Sequence, residues 1–196
     1  MSRPGRPTQT TPQQWVQAAL EEIEAAGVAA LTVASVARRL GVTKGGFYHH
    51  FSDRRALLRA ALELWEERFV DDLTTHFYEI TDPRQRLHAL LHYASVELEP
   101  TVIVRLMAAD ADRDVAAALA RAADGRLELL GTTFRELGLS RAAAAHRAVL
   151  AYSAYLGLAE LRSHTPASLA TPARVRAYLR DVEAALLHDA RSPTTR

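Results

Sequence analysis

Residues 32–58 read TVASVARRLGVTKGGFYHHFSDRRALL, and this stretch constrains the fold more than any other. Val33, Val36, Ala37 and Leu40 fall at i, i+3, i+4 and i+7, one apolar face of a short helix. Thr32 is a suitable N-cap, and Leu31 before it can staple onto Val36. Gly41 stops the helix where a left-handed residue is usually needed. Thr43 then stands ready to cap a second helix, Lys44 to His50, only two residues later. Two short helices joined this tightly must cross steeply, which is the helix-turn-helix arrangement.

The second helix has an unusual composition for a structural element. Gly45 and Gly46 are poor helix formers, and Phe47, Tyr48, His49, His50 and Phe51 follow in an unbroken run. Val42, Phe47 and Phe51 can face inward while Lys44, Gly45, Gly46, Tyr48 and His49 stay outside. Glycine permits close backbone approach, lysine supplies charge, and tyrosine and histidine supply donors that reach phosphate oxygens. Such a surface suits a helix lying in the major groove. Lys44 is also the sole lysine among 24 basic residues. From pattern alone, an ordinary helical hairpin with a solvated second helix remains an alternative.

The run GVTKGGFYHHFSDRRALL, preceded by TVASVARRL, resembles the DNA-binding domain of the TetR (tetracycline-repressor-like) family over about residues 11–60. That pattern has a small-residue-rich helix, Gly-Val, a cap, a short recognition helix ending in Tyr-x-His-Phe, then a cap and a long helix. The resemblance implies that Lys44, Gly45, Gly46, Tyr48 and His49 face the groove, and that Tyr48, His49, His50 and Arg54 contact phosphates. It departs at Asp53-Arg54, where the pattern more often has a lysine; Arg54 offers a cation in its place.

The chain around this stretch reads as helical throughout. Thr11, Pro12 and Gln14 open a first helix with a capping box, Val16, Ala19, Leu20 and Ile23 form its buried stripe, and Gly27 ends it. Ser52 is expected to cap a fourth helix running to about Ile80, with Leu58, Ala61, Leu62, Trp65, Phe69, Leu73 and Phe77 on one face. Asp82-Pro83 starts a fifth, residues 101–108 form a short sixth, and a long seventh extends from Asp112 to Leu137. Ser140 opens an alanine-rich eighth helix, and Thr171-Pro172 opens a ninth striped by Val175, Tyr178, Leu179, Val182 and Leu186.

The fold class expected is therefore all-α. Residues 1–10 form a disordered basic arm, 11–55 a three-helix DNA-binding domain, 56–189 a helical effector-binding and dimerisation domain, and 190–196 a polar tail. Arg3 and Arg6 of the arm can enter a minor groove or remain a solvated tail. Residues 1–55 carry seven basic against four acidic residues, while the remainder carries 17 against 19. A modestly basic head on a slightly acidic body suits a protein that meets phosphates at one end.

In the body, Trp65, Phe69, Phe77, Tyr93, Met107, Phe134, Tyr152 and Tyr155 supply aromatic and soft lining for a pocket, with His76, His92, Arg105 or Glu160 as polar anchors. The same residues describe a hydrophobic core equally well; the family resemblance favours a small-molecule site. Ser153 and Gly157 on the eighth helix and the stripe of the ninth suit a four-helix interface between two chains. They would also close a monomeric core, and again the resemblance favours the dimer.

Other chemistry finds little support. With no cysteine, disulfides and thiolate sites are excluded. No apolar run reaches membrane-spanning length, so a cytoplasmic location without membrane contact is expected. His88 and His92 have metal-ligand spacing, with His76 upstream, but the HExxH motif is absent and no metal or cofactor is assigned. The expected function is a homodimeric, ligand-responsive transcriptional regulator, most simply a repressor, acting on a palindromic operator in double-stranded DNA. The rivals are an architectural DNA binder without an effector, and a metal-dependent enzyme using His76, His88 and His92.

Overall fold

Thr11, Thr32, Asp82 and Thr171 each stand before an α-helix with extended backbone and a side-chain oxygen accepting an amide of the first turn. These caps satisfy donors that a helix start leaves orphaned. At α1 (Pro12–Ala26) the box is reciprocal: Gln14 N donates to Thr11 Oγ1 at 3.3 Å and Thr11 N to Gln14 Oε1 at 2.9 Å. At α2 (Val33–Leu40), Ser35 takes the glutamine's part, exchanging bonds of 2.9 and 3.0 Å with Thr32. Gly41 lies in the left-handed region at φ 67° and closes α2 as a Schellman motif, with Val42 N donating to Ala37 O and Gly41 N to Arg38 O.

The computed structural model describes residues 10–77, 79–93, 101–164 and 171–188, without the side chains of 69–76, 101, 163 and 164. The expected arm and tail therefore lie outside the described residues except for Thr10. The remaining helices are α3 (Arg54–Phe77), α4 (Pro83–His92), α5 (Thr101–Met107), α6 (Arg113–Glu136), α7 (Arg141–His164) and α8 (Pro172–Leu186). No strand occurs among the described residues, so the all-α expectation holds.

Two compact units divide the chain. Unit 1 takes residues up to Glu67 together with Arg105–Ala118, and unit 2 takes Arg68–Val104 and the residues after Ala118. The sequence placed the division at residue 55. The difference lies in the first turns of α3, where Leu57, Leu58, Ala61, Leu62 and Trp65 are all buried. In unit 1, α1 packs on α2 and on a 3-10 turn at Val28–Ala30. Its core contains Trp15, Ile23, Leu31, Val36, Phe47, Leu57 and Leu58, each fully buried. Val16, expected in the stripe of α1, is only half-buried; the stripe is carried by Trp15, Ala18, Ala19, Leu20 and Ile23. An ion pair joins α1 to α2, with Arg39 Nε and Nη2 donating to Glu22 Oε2 at 3.1 and 2.8 Å.

In unit 2, α8 packs on α4 and α7. Arg86 is buried there: its Nε donates to Phe77 O at 3.1 Å and Ile80 O at 2.9 Å, and its Nη1 pairs with Glu136. A cation on the last carbonyl of α3 is well placed against the negative end of that helix.

Candidate nucleic-acid interface

The two glycines that mark the second helix also decide its geometry. Lys44–His49 is a 3-10 helix rather than the α-helix expected, and Thr43 makes no side-chain capping bond. Gly46 N reaches Thr43 O at 3.3 Å, and His50 N reaches Phe47 O at 2.9 Å, both i to i+3 spacings. Low helix propensity at Gly45 and Gly46, without a side-chain cap, leaves little to draw the segment into a full α-turn. What holds it is Phe47. That ring is fully buried, meets Trp15 edge-on at 5.5 Å and stacks on Phe51 at 5.6 Å.

With Phe47 fixed, its neighbours on the other side are presented to solvent. Tyr48 packs edge-on against Phe47 at 5.1 Å yet is 67% exposed, unusual for an aromatic ring. Lys44, Gly45 and His49 are exposed as well. Gly46 is not on that surface: it is half-buried, and a Cβ there would meet Thr10 Oγ1 and Trp15 Cζ2, each at 4.0 Å. It faces the start of α1.

Two residues expected on phosphate are turned to the protein instead. His50 Nε2 lies 2.7 Å from Thr10 O. A carbonyl can only accept, so that nitrogen carries the proton; in the neutral ring Nδ1 is then an acceptor, unsuited to phosphate. Arg54 donates Nε to Leu31 O at 2.6 Å and Nη2 to Val28 O at 2.7 Å. Its guanidinium thus satisfies carbonyls of the turn between α1 and α2. The lysine of the family pattern lacks a planar fork with two such donors.

The helix cap next to it also differs from expectation. Asp53 Oδ1 accepts from Ala56 N at 2.8 Å, while Ser52 only donates to Asp53. That backbone bond is the main cause holding the Asp53 carboxyl below its ordinary pKa. Arg55 forms a bidentate pair with Asp114, Nε to Oδ2 at 2.5 Å and Nη2 to Oδ1 at 3.0 Å. The side-chain bond from Arg55 lowers the Asp114 pKa in turn. Sequence reasoning missed this pair, whose partners are 59 residues apart. Of the basic residues in 10–55, Arg39, Arg54 and Arg55 are thus engaged. Lys44 and Arg38 remain exposed, with no ion pair among the described residues.

The residues proposed for an effector pocket are divided between the two units. Trp65, Arg105 and Met107 belong to unit 1, Trp65 in its core and the other two exposed. The side chains of Phe69 and His76 lie outside the described residues. In unit 2, Phe134 is fully buried, Tyr93 meets Phe77 edge-on at 5.5 Å, and Tyr152 stacks on Tyr155 at 6.1 Å. Arg126 sits over the Tyr155 ring at 5.4 Å, and burial raises the pKa of both tyrosines. An open groove lined by Leu127, Gly131, Arg135, Arg141 and Ala144 uses none of the predicted pocket residues. His92 lies beside His88 and Glu183.

The predicted interface divides in a similar way. Val175, Leu179 and Leu186 are buried within the chain, the first two clustered with Leu158 and flanked by Tyr178. Their stripe closes the unit's own core, because α8 is amphipathic and α7 lies against its apolar side. Val182 is half-buried, whereas Ser153 and Gly157 are exposed. Beside them on α7, Val149, Leu150 and Leu161 are each more than half exposed.

Three short helical elements around one aromatic core, presenting a lysine, a glycine and an exposed tyrosine, define a helix-turn-helix DNA-binding domain. Residues 16–61 match the family described as bacterial regulatory proteins, tetR family. The HTH-type transcriptional regulator BetI of Yersinia pestis is 29% identical over 80 residues, which cover 40% of each chain. The chain thus matches less than half the length of this curated relative. The whole fold is shared with solved structures. A transcriptional regulator from Rhodococcus sp. Rha1 is 22% identical at TM-score 0.80, covering 92% of this chain and 97% of that one. The regulator FadR from Bacillus subtilis, solved in complex with stearoyl-CoA, is 15% identical at TM-score 0.67, covering 90% and 97%. No helix among the described residues is long and apolar enough to cross a membrane.

Proposed function

We propose that this chain is a homodimeric transcriptional regulator that binds a palindromic operator and releases it on binding a small molecule. The observation that carries the DNA-binding part is the exposed row Lys44, Gly45, Tyr48 and His49, held in place by the buried Phe47. Lys44 reads base edges, and Tyr48 and His49 bond phosphates. A dimer is supported by the exposed apolar face of α7, where Val149, Leu150 and Leu161 flank the small residues Ser153 and Gly157. Small residues let two helices approach closely, and a two-fold axis sets the recognition elements on inverted half-sites about one helical turn apart. The stearoyl-CoA bound by the FadR neighbour supports a hydrophobic effector class for the helical body. Helix α3 contributes residues to both units, which makes it the element through which such a ligand acts.

Selection from random duplex DNA tests the reading. The full chain should enrich an inverted repeat. Lys44→Ala should relax preference at one base pair of each half-site, and Tyr48→Ala should weaken binding to all sequences about equally. Enrichment of no sequence at low salt would refute the proposal.

A further inference from the structure

His88 and His92 stand one turn apart on α4, and their rings lie 4.1 Å apart between centroids, tilted by 30°. The sequence shows that spacing and offers His76 upstream as a third ligand, whose side chain lies outside the described residues. The fold brings one from 91 residues beyond His92. Glu183 on α8 places its Oε2 2.9 Å from His88 Nδ1. One ring nitrogen from each histidine and one oxygen of Glu183 all lie within 4.8 Å of one another. In a tetrahedral site, ligand atoms at about 2.0–2.1 Å from the metal sit roughly 3.3 Å apart. Small rotamer changes therefore close the cluster around an ion.

The surroundings are those of a ligand set more than of a surface ion pair. His92 is half-buried, and its Nε2 is fully buried with no hydrogen-bond partner, an uncommon and costly state for a ring nitrogen. Burial first, and then the neighbouring His88, lower the pKa of His92. Glu183 is mostly buried, while His88 is 54% exposed and gives a path from solvent. Arg176 and Arg180 on α8 add positive charge near His92, and the Glu183 carboxylate opposes it.

We propose that His88, His92 and Glu183 form a binding site for a divalent first-row metal ion, with zinc the best match to two imidazoles and one carboxylate. Two nitrogen ligands and one oxygen ligand suit a borderline cation and disfavour magnesium and calcium, which take all-oxygen shells. Water fills the fourth position. The ion takes the place of the hydrogen between His88 Nδ1 and Glu183, and the neutral ring carries its proton on Nε2 instead. The ion links α4 to α8 within unit 2.

Calorimetric titration of the untagged, chelator-stripped full chain with zinc chloride tests the site, alongside the visible spectrum of the cobalt-substituted protein. One ion per chain should bind, cobalt should show the intense absorption of tetrahedral coordination, and the melting temperature should rise with zinc. Glu183→Gln keeps an acceptor for His88 and so keeps the packing of α4 on α8. It should nonetheless weaken zinc by at least the roughly 10–100-fold lost when a mere outer-shell partner is removed. His92→Asn should do the same, whereas His146→Ala, an exposed histidine on α7, should change nothing. Absence of stoichiometric binding, or binding that survives both Glu183→Gln and His92→Asn, would overturn the assignment.

Discussion

Arg54 separates two physical roles that one residue can play at the head of a helix. The family pattern puts a phosphate-contacting cation here, whereas the fold spends its guanidinium on Leu31 O at 2.6 Å and Val28 O at 2.7 Å. Replacing it by glutamine removes the charge and leaves one short donor. A hydrogen bond from a charged donor contributes about 1.5–3 kcal/mol. Arg54 is half-exposed, so the lower end applies, and losing most of two such bonds costs about 2 kcal/mol. For a chain of this size that lowers the melting temperature by about 4–8 °C. Arg54→Lys keeps the charge but loses the fork, and should be destabilised comparably. A phosphate contact makes the opposite forecast. Arg54→Gln would then leave the melt unchanged, Arg54→Lys would be nearly silent, and the dimer would lose two contacts. The slope of log K against log salt would fall by about 1.8, at 0.9 per phosphate. Thermal melts and anisotropy titrations at several salt concentrations decide between them. A salt slope reduced by that amount with an unshifted melt would refute the scaffolding role.

The two faces of the C-terminal helices should separate in the same way. Leu150→Glu, on the exposed side of α7, should cost less than about 0.5 kcal/mol of chain stability while abolishing dimers in sedimentation. Leu179→Glu, which is 2% exposed, should cost on the order of 3 kcal/mol or more, visible as lost helical signal on mild heating. A wild-type chain that sediments as a monomer at high concentration would contradict the interface. Acid should act on unit 1 through Asp53 and Asp114, whose carboxyls lie below the ordinary aspartate range in the folded chain. Such groups stabilise the fold above their unfolded pKa, and the contribution is lost as pH falls through the folded pKa. The urea midpoint should therefore decline between about pH 5 and about pH 3, and less steeply in Asp114→Asn; equal declines would refute the assignment.

The starts of α1, α2, α4 and α8, the Gly41 stop and the core position of Phe47 were legible in the sequence because each depends on neighbours a few residues away. Thr11 with Gln14 and Thr32 with Gly41 carry their own geometry, since capping oxygens and left-handed glycines act over one turn. The exposed Lys44, Gly45, Tyr48 and His49 follow from the same local logic once Phe47 is inside. Only tertiary structure could decide where long side chains end up. Arg54 reaches back 23 residues to Leu31 and Arg55 reaches forward 59 to Asp114, and no periodicity records either. Glu183 meets His88 across 95 residues, so the third ligand of the cluster was invisible beside an evident i, i+4 pair. The same limit governs the stripe of α8. An apolar face announces that something covers it, and Val175 and Leu179 are covered by Leu158 of their own chain. The leftover apolar surface falls on α7, at Val149 and Leu150. An amphipathic pattern specifies burial, whereas the partner is chosen by which helix packs against it.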